Sequence, residues 1–175
     1  MADEGRFQEA LEQYEIALRI WPAFATAHYN KANALLQIGD PERAVEHFQQ
    51  GLALLPDDAM AHVNLGAALQ HLGDWVGAEH HLREALRQRP RMALAHNNLG
   101  IVMAADGRSG GALEHFHQAV DLDPDYALAH NNLAFSLERA GDPTGAITHY
   151  REALRLQPML REATARLQAL TSSRP

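Results

Sequence analysis

Asn30, Asn64, Asn98 and Asn132 recur at a fixed spacing of 34 residues. A primary amide both donates and accepts hydrogen bonds. A row of such side chains therefore suits the N–H and C=O groups of an extended polypeptide, whatever that segment's own side chains. Eleven histidines raise a second possibility, metal ligation. Two sets share the same period: His28, His62, His96 and His130, and His47, His81, His115 and His149. Members of one set stand a whole repeat apart, whereas zinc needs ligands about 2 Å from one point. His80 and His81 are sequence neighbours on different helical faces. His115 and His117 are two apart, a spacing at which helical residues do not face each other. No metal or other cofactor is expected. Eight periodic imidazoles would still make stability pH-dependent below their reference pKa of ~6.5. Catalysis finds no support: Ser109, Ser136, Ser172 and Ser173 lack a nucleophile signature. Gly107-Arg108-Ser109-Gly110-Gly111 lacks the lysine of a phosphate loop and falls at an inter-helix turn. The expectation is a protein that is not an enzyme.

The elements that carry these residues follow from the period. Ala25, Ala59, Ala93 and Ala127 open four units, and self-similarity at this length decides architecture before any local pattern does. Fifteenth positions are Gly39, Gly73, Gly107 and Gly141; twentieth positions are Ala44, Ala78, Ala112 and Ala146; thirty-second positions are Pro56, Pro90, Pro124 and Pro158. Apolar residues between them are spaced by 3, 4 and 7, which places them on one helical face in each half. Glycine suits the left-handed residue that ends a helix. Asp40, Asp74 and Asp142 read as N-caps of a second helix, and Pro41 and Pro143 as its first residue. The spacing predicts first helices near 25–38, 59–72, 93–106 and 127–140, and second helices near 42–54, 76–88, 110–122 and 144–156.

The ends depart from the unit. Gly5, Ala10, Tyr14, Ala17 and Pro22 match the second half of a repeat, so residues 6–24 read as a half repeat, a second helix with no first helix before it. Full repeats follow at 25–58, 59–92, 93–126 and 127–160. The more polar 161–171 reads as a capping helix, and Thr171 to Pro175 as frayed. The whole of 1–175 is expected to form a single array. An uncovered first helix invites self-association through the N-terminal edge, or marks a chain that extends upstream.

Composition narrows the partners. Net charge is −7, and Lys31 is the one lysine. A nucleic-acid surface would show a basic stripe, so no nucleic-acid partner is expected. No apolar run approaches the ~18 residues of a membrane span, so no membrane insertion is expected. Without cysteine there are no disulfides or thiolate sites. Met1-Ala2-Asp3-Glu4-Gly5-Arg6 is unlike a signal peptide, which makes a cytoplasmic location the expectation.

His62, Leu65, Gly66, Leu69, Ala78, Leu82 and Pro90, with His96, Leu99, Gly100, Met103, Ala112, Phe116 and Pro124, stand at the positions of W-x2-L-G-x2-Y, A-x3-F and P. The chain thus resembles the tetratricopeptide repeat over roughly residues 5–170. It departs in carrying His for Trp at position four and Lys31 for Leu at position seven. The resemblance implies an all-α, right-handed α-solenoid of helix-turn-helix repeats with a concave groove lined by the first helices. It implies a protein–protein interaction scaffold that binds a protein or peptide ligand, with no catalytic residues. On that geometry the groove carries Asn30, Asn64, Asn98 and Asn132, with Tyr29, Asn33, Asn97, Ile101, Asn131 and Phe135 around them. Repeats offset by roughly 10 Å would place one asparagine at about every third residue of a segment rising ~3.3 Å per residue. A similar row of asparagines occurs in the repeat domain of O-linked N-acetylglucosamine transferases. A substrate-recruiting domain of a larger enzyme, such as a glycosyltransferase, is therefore an alternative, as is a structural unit that self-assembles through its N-terminal edge. Members that clamp a chaperone's C-terminal carboxylate use lysine and arginine where this chain has Leu94, Asn97 and Asn98, so that subclass is excluded. The position-four histidines are expected to replace the packing tryptophan, and the position-23 histidines to lie near the outer surface.

Overall fold

A computed structural model describes residues 2–172, with side chains from residue 6. Among the described residues there are ten helices and no strand: α1 (Ala2–Ile20), α2 (Ala25–Gln37), α3 (Pro41–Leu54), α4 (Ala59–His71), α5 (Trp75–Gln88), α6 (Ala93–Ala105), α7 (Ser109–Leu122), α8 (Ala127–Arg139), α9 (Pro143–Leu156) and α10 (Arg161–Ser172). Second helices begin one residue earlier than the spacing predicts, and α1 begins four residues ahead of its expected start. Thr171 and Ser172 are helical; the rest of the expected frayed tail lies outside the described residues.

Each turn does two jobs with three residues. Gly39 takes φ +80°, a left-handed conformation open to glycine. Its N–H donates to the Leu36 carbonyl at 3.1 Å, and the Asp40 N–H donates to the Leu35 carbonyl at 3.0 Å. That pair of bonds is a Schellman motif closing α2. The Asp40 side chain then accepts from the Arg43 N–H and opens α3. Asp74 and Asp142 cap α5 and α9 in the same way. Arg108 occupies the corresponding place before α7 and supplies no side-chain cap.

Contacts group the chain into two compact units, Met1–Pro90 and Arg91–Pro175. Within each, a helix packs chiefly on the next in sequence, the arrangement of an α-solenoid of helical repeats. In the first unit Ala44, Phe48, Leu65 and Leu82 are fully buried; in the second, Leu133, Ala146 and Tyr150 are. Small residues allow the close approach. A Cβ on Gly100 would come within 2.6 Å of the Phe116 ring, so α6 lies directly on that aromatic. Lys31 has a buried side chain whose Nζ donates to Glu15 of α1 at 3.2 Å. The ion pair tethers α2 to α1 where the repeat otherwise places leucine.

Candidate functional site

The amides sit on α2, α4, α6 and α8, where residues i, i+4, i+7 and i+8 share a face. In the first unit Asn30 and Asn33 are exposed, and Asn64 Nδ2 donates to Asn33 Oδ1 at 3.2 Å. Asn30 and Asn33 border a recess of 340 Å³ that they share with Phe7 and Tyr14 of α1. In the second unit Asn132 Nδ2 donates to Asn97 Oδ1 at 2.8 Å, and Asn97 Nδ2 to Asn98 Oδ1 at 3.3 Å. Asn97 and Asn98 are only 3% and 8% exposed, so their amides belong as much to the packing as to the surface. Asn131 Oδ1 is buried without a hydrogen-bond partner. Ile101 and Phe135 are half-buried, each one turn beyond Asn97 and Asn131.

Tyr29, expected on the groove, is instead part of the core. Gly51 on α3 has no side chain, the Tyr29 ring lies against it, and the hydroxyl donates to the Leu55 carbonyl at 2.9 Å. Burial pushes its phenol up to about 12. The signal was present in the sequence: this is the one full repeat with an aromatic at position five and glycine at position 27.

The histidines pair across the two sets. His28 and His47 meet Nδ1 to Nδ1 at 3.1 Å, His62 and His81 at 3.0 Å, His96 and His115 at 3.0 Å, and His130 and His149 at 2.9 Å. The position-23 histidines, expected near the outer surface, are therefore half-buried partners on the second helix of the same repeat. A separation of 19 residues, repeated four times, was the overlooked signal. Nε2 of His28, His62 and His130 lies 3.0–3.1 Å from the carbonyls of Pro22, Pro56 and Pro124. A carbonyl only accepts, so Nε2 carries the proton and Nδ1 is the acceptor. The Nδ1–H of His47, His81 and His149 must then donate. Each of these pairs ties the turn before a repeat to both of its helices.

Ring centroids in the pairs stand 5.2–5.3 Å apart. That is close to the nitrogen separation plus one ring radius at each end, so the two Nδ1 atoms meet head on. They do not converge on a third point as ligands of one metal would. Among the described residues no group of three or more His, Cys, Asp or Glu is placed to hold a metal, and no helix is long and apolar enough to cross a membrane.

A larger recess, 420 Å³, opens in the second unit between the last turn of α6, the first turn of α7 and the C-terminal half of α8. Phe135 and Arg139 are among its walls. The Arg139 guanidinium lies 5.9 Å from the Phe135 ring centroid.

Two sequence-family models described as tetratricopeptide repeat match the chain, one over residues 2–59 and 29–79, the other over 57–125 and 91–159. No curated protein matches. Among solved structures, MamA from Desulfovibrio magneticus RS-1 (residue 41 to its end) is 28% identical, with 91% of this chain and 90% of that chain covered and a TM-score of 0.78. Pseudomonas aeruginosa pilF is 21% identical over 98% of this chain and 78% of that chain, with a TM-score of 0.87. YrrB, described as a TPR protein with an unusual peptide-binding site, is 22% identical over 94% and 84%, with a TM-score of 0.72. The last two likenesses concern the fold alone.

Proposed function

From a chain that belongs to the tetratricopeptide repeat family, we propose a non-enzymatic interaction scaffold whose first-helix faces hold an extended segment of a partner protein. One observation carries this reading: Asn64 with Asn33, and Asn132 with Asn97, are joined amide to amide across successive first helices. Each such bond consumes one donor and one acceptor, and the more open amides of Asn33, Asn64 and Asn132 have capacity for further bonds. A pre-aligned amide loses little freedom on binding, and it recognises main chain whatever the side chains. The amides themselves carry no charge, so they hold the segment through hydrogen bonds rather than a strong field. The test is a peptide array probed with the wild type and with a variant carrying Asn64→Ala, Asn98→Ala and Asn132→Ala. Broad binding by the wild type and its collapse in a variant that melts cooperatively is the expected result. Equal binding by both assigns the amides to folding alone.

A second surface favours association through the N-terminal end. Ile16, Ile20, Trp21 and Phe24 are all exposed, Ile20 at 80% and Trp21 at 66%. Apolar clusters of this kind mark interaction sites. Concentration-dependent mass by light scattering, abolished by Ile20→Glu with Trp21→Ser, is the expected outcome; a strict monomer at every concentration removes this reading.

A further inference from the structure

The third full repeat opens its second helix unlike the others. α3 begins Pro41-Glu42-Arg43, α5 begins Trp75-Val76-Gly77 and α9 begins Pro143-Thr144-Gly145, whereas α7 begins Ser109-Gly110-Gly111. A Cβ placed on Gly110 would meet nothing within 4 Å. The space left open is the 420 Å³ recess, a volume within the range of pockets that take ligand groups. Ala104 and Ala105 of α6, Leu113 of α7 and Phe135 of α8 supply apolar walls. Arg139 is the one charged residue in the lining, and no carboxylate lines it. Among the described residues Arg139 makes no ion pair. The other arginine on Phe135, Arg166 at 4.4 Å from the ring centroid, is neutralised by Glu138 at 3.2 Å. The recess is therefore apolar and carries one uncompensated positive charge.

Its position relates it to the amides. Ala104 and Ala105 lie seven and eight residues beyond Asn97, and Phe135 and Arg139 lie four and eight beyond Asn131. These spacings share a helical face. At 1.5 Å per residue, Phe135 is about 6 Å along the axis from Asn131, and Arg139 about 12 Å. A side chain leaving a segment held at the asparagines would have about 6 Å to cover along the axis to Phe135 at the recess.

We propose that this recess is a specificity pocket of the bound partner segment, taking a large apolar side chain whose neighbouring residue is a carboxylate facing Arg139. The proposal rests on the reading of the first-helix faces as a peptide-binding surface. Apolar walls choose the side chain, and the lone guanidinium chooses the charge beside it. The amides hold the main chain without regard to sequence, so selectivity among partners arises here.

The test uses fluorescence anisotropy with the full chain and three labelled nine-residue peptides on a Ser/Ala background. Their central pairs are Phe-Asp, Phe-Lys and Ala-Asp. Wild type should bind Phe-Asp about tenfold more tightly than Ala-Asp and about fivefold more tightly than Phe-Lys. Gly110→Leu fills the recess at a helical position where leucine is a better helix former than glycine, so the variant folds. It should erase the preference for Phe while weak Ala-Asp binding persists. Arg139→Gln should erase the preference for Asp over Lys. Asn98→Ala with Asn132→Ala should weaken all three peptides alike. If wild type binds the three peptides equally and that binding still depends on the asparagines, the pocket is refuted and the main-chain reading stands. A Phe-Asp preference that survives both Gly110→Leu and Arg139→Gln places the selective site elsewhere and overturns the proposal. So does N-acetylphenylalaninamide binding as tightly as the Phe-Asp peptide, which identifies a small-molecule site. Absence of Phe-Asp binding overturns it as well, and binding unaffected by the asparagine variant removes the reading on which it rests.

Discussion

The histidine pairs make stability depend on pH within a definable window. Burial, above all, holds His47 and His81 down to about 4, against 6.5 for a free histidine, and lowers His149. Lys31, His28 and Arg43 add to the effect at His47; His62 and His80 add to it at His81, opposed by Asp74 and Glu84. A group whose folded pKa lies below its unfolded value binds fewer protons when folded. Its contribution is intact above pH 6.5 and is lost as pH falls toward 4. At pH 5 the unfolded chain has gained nearly a full proton at each site and the folded chain has not, a difference of ~2 kcal/mol per histidine. Both rings are half-buried, and solvent screening brings this to about 1 kcal/mol each. With His149 the loss between pH 7.5 and pH 5 is roughly 2–3 kcal/mol, a large part of the 5–15 typical of a folded domain. The melting midpoint should fall by about 5–10 °C. Carboxylates do not confuse this window. Hydrogen bonds from Arg87 hold Glu84 at about 2, and Lys31 and Arg155 lower Glu15 and Glu152. Their contributions are present above 4.5 and lost only below it.

The assay is thermal unfolding at constant ionic strength at pH 7.5, 6.5, 5.5 and 5.0, for wild type and for His81→Asn. Asparagine keeps a donor toward His62 Nδ1 but does not titrate, so the variant should lose about a third of the pH dependence. Wild-type midpoints that agree at pH 7.5 and pH 5.0 refute the reasoning. Nitrogen-15 spectra give an independent reading: His28, His62 and His130 should be Nε2–H tautomers, and His47, His81 and His149 Nδ1–H tautomers. The reverse assignment contradicts the pairing.

Lys31→Leu should raise stability by about 1–3 kcal/mol in urea unfolding, because it removes a desolvated charge where Leu65, Leu99 and Leu133 are fully buried in the other repeats; a lower midpoint shows that the Lys31–Glu15 pair is worth more than apolar packing. Arg108→Asp should gain about 1 kcal/mol by giving α7 the cap that α3, α5 and α9 possess, at the expense of an exposed ion pair with Asp106 that contributes little. Asp74→Ala should lose a similar amount by the same measurement, and unequal signs between these two variants are the diagnostic result.

Helix positions were legible because every rule agreed on them: Gly39 and its counterparts at the turns, Asp40, Asp74 and Asp142 at the caps, alanine where two helices touch. Four copies reinforced each signal. The histidine pairs were not read out, although their spacing repeats as faithfully, because a 34-residue comparison aligns each residue with its own copies. A partner 19 residues away on the other helix is invisible to it until the helices are folded against each other. Tyr29 was misplaced for a related reason. Position five holds Val63, Asn97 and Asn131 elsewhere, of which Val63 and Asn97 are buried as Tyr29 is, and the space above Gly51 lets the larger ring be buried in the first full repeat. Nor does sequence distinguish an asparagine that faces solvent, like Asn30, from one as closed in as Asn98.

What a repeat shares with its copies reports how it folds, so its individuality is the better guide to what it recognises. Asn30, Asn64, Asn98 and Asn132 are shared, and the main chain they suit is common to every partner. A partner is told from others by what only one repeat offers. In the third that is a second helix whose second residue, Gly110, has no side chain, and no N-cap from Arg108. Arg139 of the next helix faces the resulting space. Aspartate supplies that cap at the three equivalent turns, so its absence before α7 forgoes stability there. Restoring it with Arg108→Asp while filling the space with Gly110→Leu should therefore yield a more stable chain that is less selective among peptides. A variant that gains stability and keeps its full selectivity would show that the irregularity of this repeat carries no recognition.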